Sequence, residues 1–296
     1  MSEKQLPTKT EEDDRPLLSP GGWCSVPILT LLAVGFLAPI AAVTLFSFAE
    51  PRTFDLFSTF TLANYREIFN PASTEWTSFA WSFGFATVTV AILVLVSYPI
   101  AVGLVHVFGK WSSLISILFV FPLFISQNVL LYGWVLFFFK NGFLDGVLHL
   151  VGLAGPDVLF KPGIILFGMI YTYLPYILFP IVLGLSLVPR DVIYAARDLG
   201  ASRFQTWWEV ELPLAMPGIL IGVLLTFVLG AGAVSESKIV GGQAVIVIPH
   251  DIEIAFTYAQ NWPLGSALAV VLTLIIGSIT VFALTKLDLD RILGRR

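Results

Sequence analysis

Tyr194-Ala-Ala-Arg-Asp-Leu-Gly200, followed by Val210-Glu-Leu-Pro213 and Pro217-Gly-Ile219, is a polar, turn-containing island in an otherwise apolar chain. Arg190, Asp191, Arg197, Asp198, Arg203, Glu209 and Glu211 crowd there between two long apolar runs. A charged side chain at the centre of a bilayer costs about 2.5–3.5 kcal/mol on insertion scales, so a cluster of seven must lie outside the hydrocarbon. The island is therefore a loop between membrane spans. Around it, 57% of the 296 residues are apolar and only 12% charged, with a mean hydropathy of +0.88. A soluble domain carries roughly a quarter charged residues. The fold class expected is an all-α, polytopic membrane protein.

A hydrocarbon core about 30 Å thick takes about 20 helical residues, and six stretches qualify, at about 26–49, 78–106, 113–139, 162–187, 213–235 and 264–285. Six spans place both termini on one side. Lys4, Lys9, Arg15, Lys110, Arg190, Arg197, Arg203, Lys286, Arg291, Arg295 and Arg296 fall on that side, against Arg52, Arg66, Lys140, Lys161 and Lys238 opposite. The positive-inside rule then puts both termini and the island in the cytoplasm, N-in and C-in. Trp76, Trp81, Trp134 and Trp262 suit interfacial anchors. Residues 1–25, acidic at Glu11, Glu12, Asp13 and Asp14, read as a disordered cytoplasmic tail. Residues 26–286 form the six-helix membrane domain, and 287–296 a second cytoplasmic tail. The run 26–49 is too long for a signal-peptide core and stays as the first span.

On the far side, Leu62–Phe69 reads as a short interfacial helix and 140–161 as a Gly- and Asp-punctuated loop. Neither is large enough to be a receptor, so any external recognition module comes from another chain. The net charge of −4 comes from the acidic tail, and no basic face for nucleic acid is present. Cys24 is the sole cysteine, and no Cys/His cluster has metal-ligand spacing.

Within the island, Val192, Ala195, Ala196 and Leu199 repeat at i, i+3, i+4 and i+7, with Asp191 suited to the N-cap and Gly200 to the left-handed C-terminal position. Ser202 and Gln205 then make a capping box for a second helix, whose Phe204, Trp207 and Trp208 cluster on one side before Pro213 opens the next span. The expectation is a helix-turn-helix lying parallel to the membrane. Its alanine face is narrow enough for another protein's groove to close on, and its aromatic side packs back on the bundle. A well-capped connector of purely structural role is the alternative.

This pattern resembles the EAA loop of ATP-binding-cassette importer permeases, Glu-Ala-Ala, three residues, Gly, then a downstream Leu-Pro. It is matched by Ala195, Ala196, Gly200, Leu212 and Pro213, with Tyr194 where the Glu usually stands. Leu62-x-Asn64-Tyr65, Asn141-Gly142, Ala196–Ser202, Gly241-Gly242 and Asn261-Trp-Pro-Leu-Gly265 look like the polyamine-type branch, which also handles opines and ferric ion. The resemblance implies a multi-pass permease subunit in a bacterial inner membrane, surrounded by lipid. Its cytoplasmic loop 188–212, between spans four and five, would couple to an ATPase through Tyr194, Ala195, Ala196, Asp198, Gly200, Leu212 and Pro213. The implied partners are a second, unlike permease, two ATPase subunits that carry ATP and Mg, and a periplasmic solute-binding protein. No cofactor is implied for this chain.

The residues agree that the motor is elsewhere. An ATPase needs Gly-x4-Gly-Lys-Ser/Thr after a strand; the nearest string, Gly103 to Lys110, has five intervening residues and ends Gly-Lys-Trp. A gradient-driven carrier, the alternative reading, usually keeps ionisable groups at mid-membrane depth, and none of the six spans has one centrally. An intramembrane enzyme needs a buried constellation, whereas His106, His149 and His250 sit at span ends or in loops.

For a solute path the sequence offers Gln127, Asn128 and Tyr132 on span three, Tyr171, Tyr173 and Tyr176 on span four, and Glu236. Each has two readings, interhelical packing or a cavity lining. The Gly-rich stretch from Gly230 to Lys238 is an unwound gate, or a frayed end closed by a Glu236–Lys238 surface pair. The polyamine branch often has an acidic residue in a Gly-x-Phe element where this chain has Gly232-Ala233-Val234. Its absence there makes an opine or similar zwitterion competitive with a polyamine, so the solute expected is a small polar organic one, opine-, polyamine- or related amino-compound-like.

Overall fold

Inside a bilayer no water satisfies backbone N–H and C=O groups, so a long apolar run crosses as a helix. The computed structural model describes residues 20–55 and 59–286, and their long apolar runs are helical. In chain order the helices are α1 (Pro20–Phe46), α2 (Ala63–Ile68), α3 (Glu75–Val102), α4 (Ser112–Val120), α5 (Gln127–Phe138), α6 (Phe143–Leu150) and α7 (Pro162–Ser186). Next come α8 (Arg190–Asp198), α9 (Arg203–Gln205), α10 (Leu212–Ala231), α11 (Ser235–Ile239), α12 (Ile248–Thr257) and α13 (Trp262–Lys286). Most of the N-terminal tail and all of residues 287–296 lie outside the described residues.

Among the described residues, five helical stretches are long and apolar enough to cross a membrane: Ser25–Phe46, Glu75–Val107, Pro162–Ser186, Arg203–Ala231 and Trp262–Thr285. The expected third span, 113–139, is not one helix. It is a bent pair, Gly109–Phe124 and Gln127–Leu150, meeting at 98°. Pro122 removes a backbone donor and its ring crowds the preceding turn; the chain tightens into a 3-10 turn over Phe121–Phe124, and Ile125 and Ser126 are extended. Gln127 and Asn128 therefore open a helix instead of sitting mid-span. Trp134 is likewise no simple interfacial anchor: it packs edge-on against Phe167 at 4.7 Å and Tyr171 at 5.2 Å.

The core is the crossing of α3, α7 and α10. Leu93, Ile177, Leu178, Ile181, Leu185, Ala215 and Ile219 are buried there. Lipid is as apolar as leucine, so burial alone drives little association; close van der Waals contact does the work. Gly184 and Gly218 provide it, since a Cβ built on Gly184 would lie 2.9 Å from the Cα of Gly218. A second cluster joins Ile68 of α2, Phe79 of α3, Ile248 of α12 and Ala267, Leu268 and Val271 of α13. Here α2 is more than an interfacial helix. Asn64 is fully buried and its amide donates to the carbonyls of Ser47 (3.1 Å) and Ala49 (2.9 Å), tying α2 to the end of α1. The 140–161 loop contains α6, and the Asp145 carboxylate closes it by accepting from the backbone N–H groups of Asn141 and Gly155, each at 2.9 Å.

Candidate functional site

Two places carry the candidate residues: the charged loop after α7 and the break after α10. In the loop, α8 starts two residues earlier than the Asp191 cap requires. Pro189 holds the N-cap position with φ −66° and Asp191 falls in the first turn, where a carboxylate favours the helix dipole without capping it. Proline's fixed φ and missing N–H are already suited to that boundary. The other end agrees with the expectation. Gly200 has φ +89°, and the N–H groups of Gly200 and Ala201 bond back to Arg197 and Ala196. Ser202 and Gln205 form the reciprocal capping box.

The second arm departs from the expected helix-turn-helix. Helix runs without interruption from Arg203 to Ala231, 29 residues, so this arm is the foot of the fifth apolar span. Pro213 sits inside it, just after a π-helical segment at Thr206–Glu211. The wider π turn takes up the backbone bond that proline cannot donate. Of the aromatic trio, Trp207 packs inward and its indole N–H donates to the Tyr98 hydroxyl at 2.7 Å. Phe204 and Trp208 stay exposed. On α8 it is Ile193 that is buried, while Val192, Tyr194, Ala195, Asp198 and Leu199 face outward and Ala196 is half-buried. Leu199 is 90% exposed, an apolar side chain with no cover.

The expected solute-path residues divide. Gln127, Tyr173 and Glu236 converge from α5, α7 and α11. The Gln127 amide donates to Glu236 Oε1 at 2.8 Å, and the Tyr173 hydroxyl lies beside the same carboxylate. Glu236 is 1% exposed, and its Oε2 has no hydrogen-bond partner among the described residues. Tyr176, Leu229, Gly232, Ala233, Val234 and Ser235 complete the lining of a cavity of about 250 Å³ against it. Asn128 and Tyr132 are exposed away from this group, and Tyr171 belongs to the Trp134 aromatic cluster.

The Glu236–Lys238 pair is replaced by another. Lys238 bonds Glu253 of α12 at 2.6 Å, and that carboxylate holds its ammonium above the ordinary lysine range. Glu236 is buried on α11, which opens at Ser235 after α10 ends at Ala231 and Gly232–Val234 break the helix. Sequence reading missed Glu253, and it missed His106, whose Nε2 lies 3.1 Å from Glu211 Oε1. Neither pairing has a local signal: His106 and Glu211 are 105 residues apart.

Residues 100–292 match the family described as "Binding-protein-dependent transport system inner membrane component". The spermidine/putrescine transport system permease protein PotB of Haemophilus influenzae is 32% identical over 254 residues, 84% of each chain. The inner membrane ABC transporter permease protein YdcU of Escherichia coli is 30% identical, over 76% of this chain and 74% of its own. Among solved structures, a bacterial ABC transporter that imports the acidic polysaccharide alginate superposes with a TM-score of 0.73 at 15% identity. It covers 89% of this chain and 93% of that one.

Proposed function

The chain belongs to the family of binding-protein-dependent transport inner membrane components, and from that membership we propose that it imports a small organic cation of the polyamine type. In this reading both termini and the 188–212 loop are cytoplasmic. A second, unlike permease completes the pore, a periplasmic binding protein delivers the solute, and two separate ATPase subunits supply ATP and Mg. Closure of those subunits draws the loops together and turns the cavity outward; reopening releases the solute inside.

The observation that carries the substrate class is Glu236. A buried carboxylate oxygen without a donor is costly, about 1–3 kcal/mol or more, and an ammonium group removes that cost. Tyr173 and Tyr176 line the same cavity, and aromatic rings at such a site favour a cation. The carboxylate missing at Gly232-Ala233-Val234 is thus supplied two residues further on, by Glu236, which favours an amine over a zwitterionic opine. The PotB relatives, named as spermidine/putrescine permeases, agree with an amine. The same buried carboxylate is the one feature that favours a proton-coupled carrier, and the family membership argues against it.

The test is to purify the tagged chain in mild detergent with its associated subunits and reconstitute it. Spermidine or putrescine uptake should require ATP and the binding protein. Uptake by the lone chain in ATP-free liposomes would overturn the importer reading, and ATP-dependent uptake that polyamines do not compete for would overturn the cation.

The loop contributes a second expectation. At Gly200 a Cβ meets nothing within 4 Å, so substitution acts through the left-handed backbone alone, costing about 1 kcal/mol for alanine and more for a β-branched side chain. Gly200→Val should insert and fold at normal yield yet lose most uptake. Wild-type uptake at matched expression would exclude a docking role for the turn.

A further inference from the structure

Between α8 and the feet of the second and fifth apolar stretches lies a cavity of about 530 Å³, lined by His106, Arg190, Tyr194, Arg197, Arg203 and Glu211 among others. Arg190, Tyr194 and Arg197 are spaced i, i+4, i+7 and share one face of α8. Arg203 enters from α9. None of the three arginines makes an ion pair among the described residues. The only carboxylate in the wall, Glu211, is taken up by His106 at 3.1 Å. Asp191, Asp198 and Glu209 do not line the cavity. Three guanidinium groups thus converge with one engaged carboxylate, which leaves the cavity short of negative charge. Tyr194 deepens the deficit, because a glutamate at that position would have added a second carboxylate to the wall.

Both span walls are π-helical where they border this cavity, at Gly103–Val107 and Thr206–Glu211, and such turns concentrate at functional sites. Around the loop, uncovered apolar side chains continue the surface: Val192 and Leu199 on α8, Phe204 and Trp208 beyond it. A basic hollow beside exposed aromatic and aliphatic groups has the anatomy of a protein interface, in which arginine, tyrosine and tryptophan dominate the binding energy. A guanidinium in such a setting pairs best with a carboxylate, in bidentate geometry.

We propose that this cavity receives one or more carboxylate side chains of the ATPase subunit, so that docking in this chain runs from permease arginine to ATPase carboxylate. The proposal rests on the reading that an ATPase docks on the 188–212 loop. Its polarity is what is new: the docking loop presents cations and the motor presents anions.

The experiment uses the purified full complex carrying Arg190→Lys or Arg197→Lys, treated with a zero-length carbodiimide that joins amines to carboxylates in contact. The expected result is a covalent permease–ATPase linkage through position 190 or 197 in the variants, absent from wild type, mapped by mass spectrometry to an ATPase Asp or Glu. In the Arg190→Gln/Arg197→Gln double variant the ATPase should dissociate at about half the NaCl concentration that wild type withstands, since both contacts are ionic. If the lysine variants keep their ATPase but link only to this chain's own Asp198 or Glu209, or to nothing, the proposal is overturned while the importer reading stands. Loss of tightly bound phospholipid phosphate from the double variant, with the ATPase retained at wild-type salt resistance, overturns it in favour of a lipid headgroup site. A wild-type complex that brings no ATPase at all overturns both readings.

Discussion

Glu236→Gln is expected to lower polyamine uptake at sub-saturating concentration by about 10- to 100-fold. A hydrogen bond to a charged group contributes about 1.5–3 kcal/mol, and each 1.4 kcal/mol is tenfold. Glutamine keeps the volume, and its amide oxygen still accepts from the Gln127 amide, bonded now to Glu236 Oε1 at 2.8 Å. The substitution removes the charge and the unpartnered oxygen. The protein should therefore assemble normally, and ATPase stimulation by the unliganded binding protein should persist. Tyr173→Phe, which keeps the ring and removes one hydroxyl beside the carboxylate, should cost less. Transport of labelled spermidine into vesicles at several concentrations separates the cases. A rise in half-saturation with Glu236→Gln supports a solute contact. Wild-type kinetics would mean that the carboxylate is structural and that the cation assignment fails.

Gly218→Leu should abolish the folded protein. A Cβ on Gly218 would stand 2.6 Å from the Cα of Gly184 and would also overlap the Pro180 carbonyl, and both obstacles are backbone. Flexible side chains can step aside; two helices packed along their glycines cannot. The pair must separate, and the contacts of Ile177, Ile181, Ala215 and Ile219 open with it. A cost above about 3 kcal/mol is the expected scale for overpacking that the backbone cannot relieve. Size-exclusion chromatography in detergent should show aggregate in place of the wild-type peak. Gly277→Leu is the control, because a Cβ there meets nothing within 4 Å; it should run as wild type. A normal peak for Gly218→Leu would mean that the close α7–α10 crossing is not what holds the bundle.

Much of this fold was legible locally. Apolar runs long enough to cross a bilayer announced five of the spans, and the island of seven charges marked the loop. The Gly200 turn and the Ser202–Gln205 box were readable because each is decided by residues within four positions of one another, where steric limits and capping bonds act without help from the rest of the chain. The 98° break was also written locally, at Phe121-Pro122, yet the apolar count over 113–139 outweighed a single proline. Asp191 was misplaced for a related reason, since Pro189 had already set the helix boundary.

The candidate sites were legible as residues but not as partnerships. Glu236 and Lys238 stand two apart in the chain, and charge alone pairs them. Only the packed bundle turns one toward Gln127 and Tyr173 and sends the other to Glu253. Likewise the seven charges of the island gave no hint of which would share a cavity, or that His106, 105 residues away, would occupy Glu211. Local sequence determined that this protein crosses the membrane, where its charged loop lies and how that loop turns, because hydrophobic length, capping and left-handed backbone are short-range effects. Tertiary structure decided which carboxylate is buried with one oxygen unpartnered and which arginines lack a counter-ion among the described residues, because those depend on groups that helix packing brings together from distant parts of the chain.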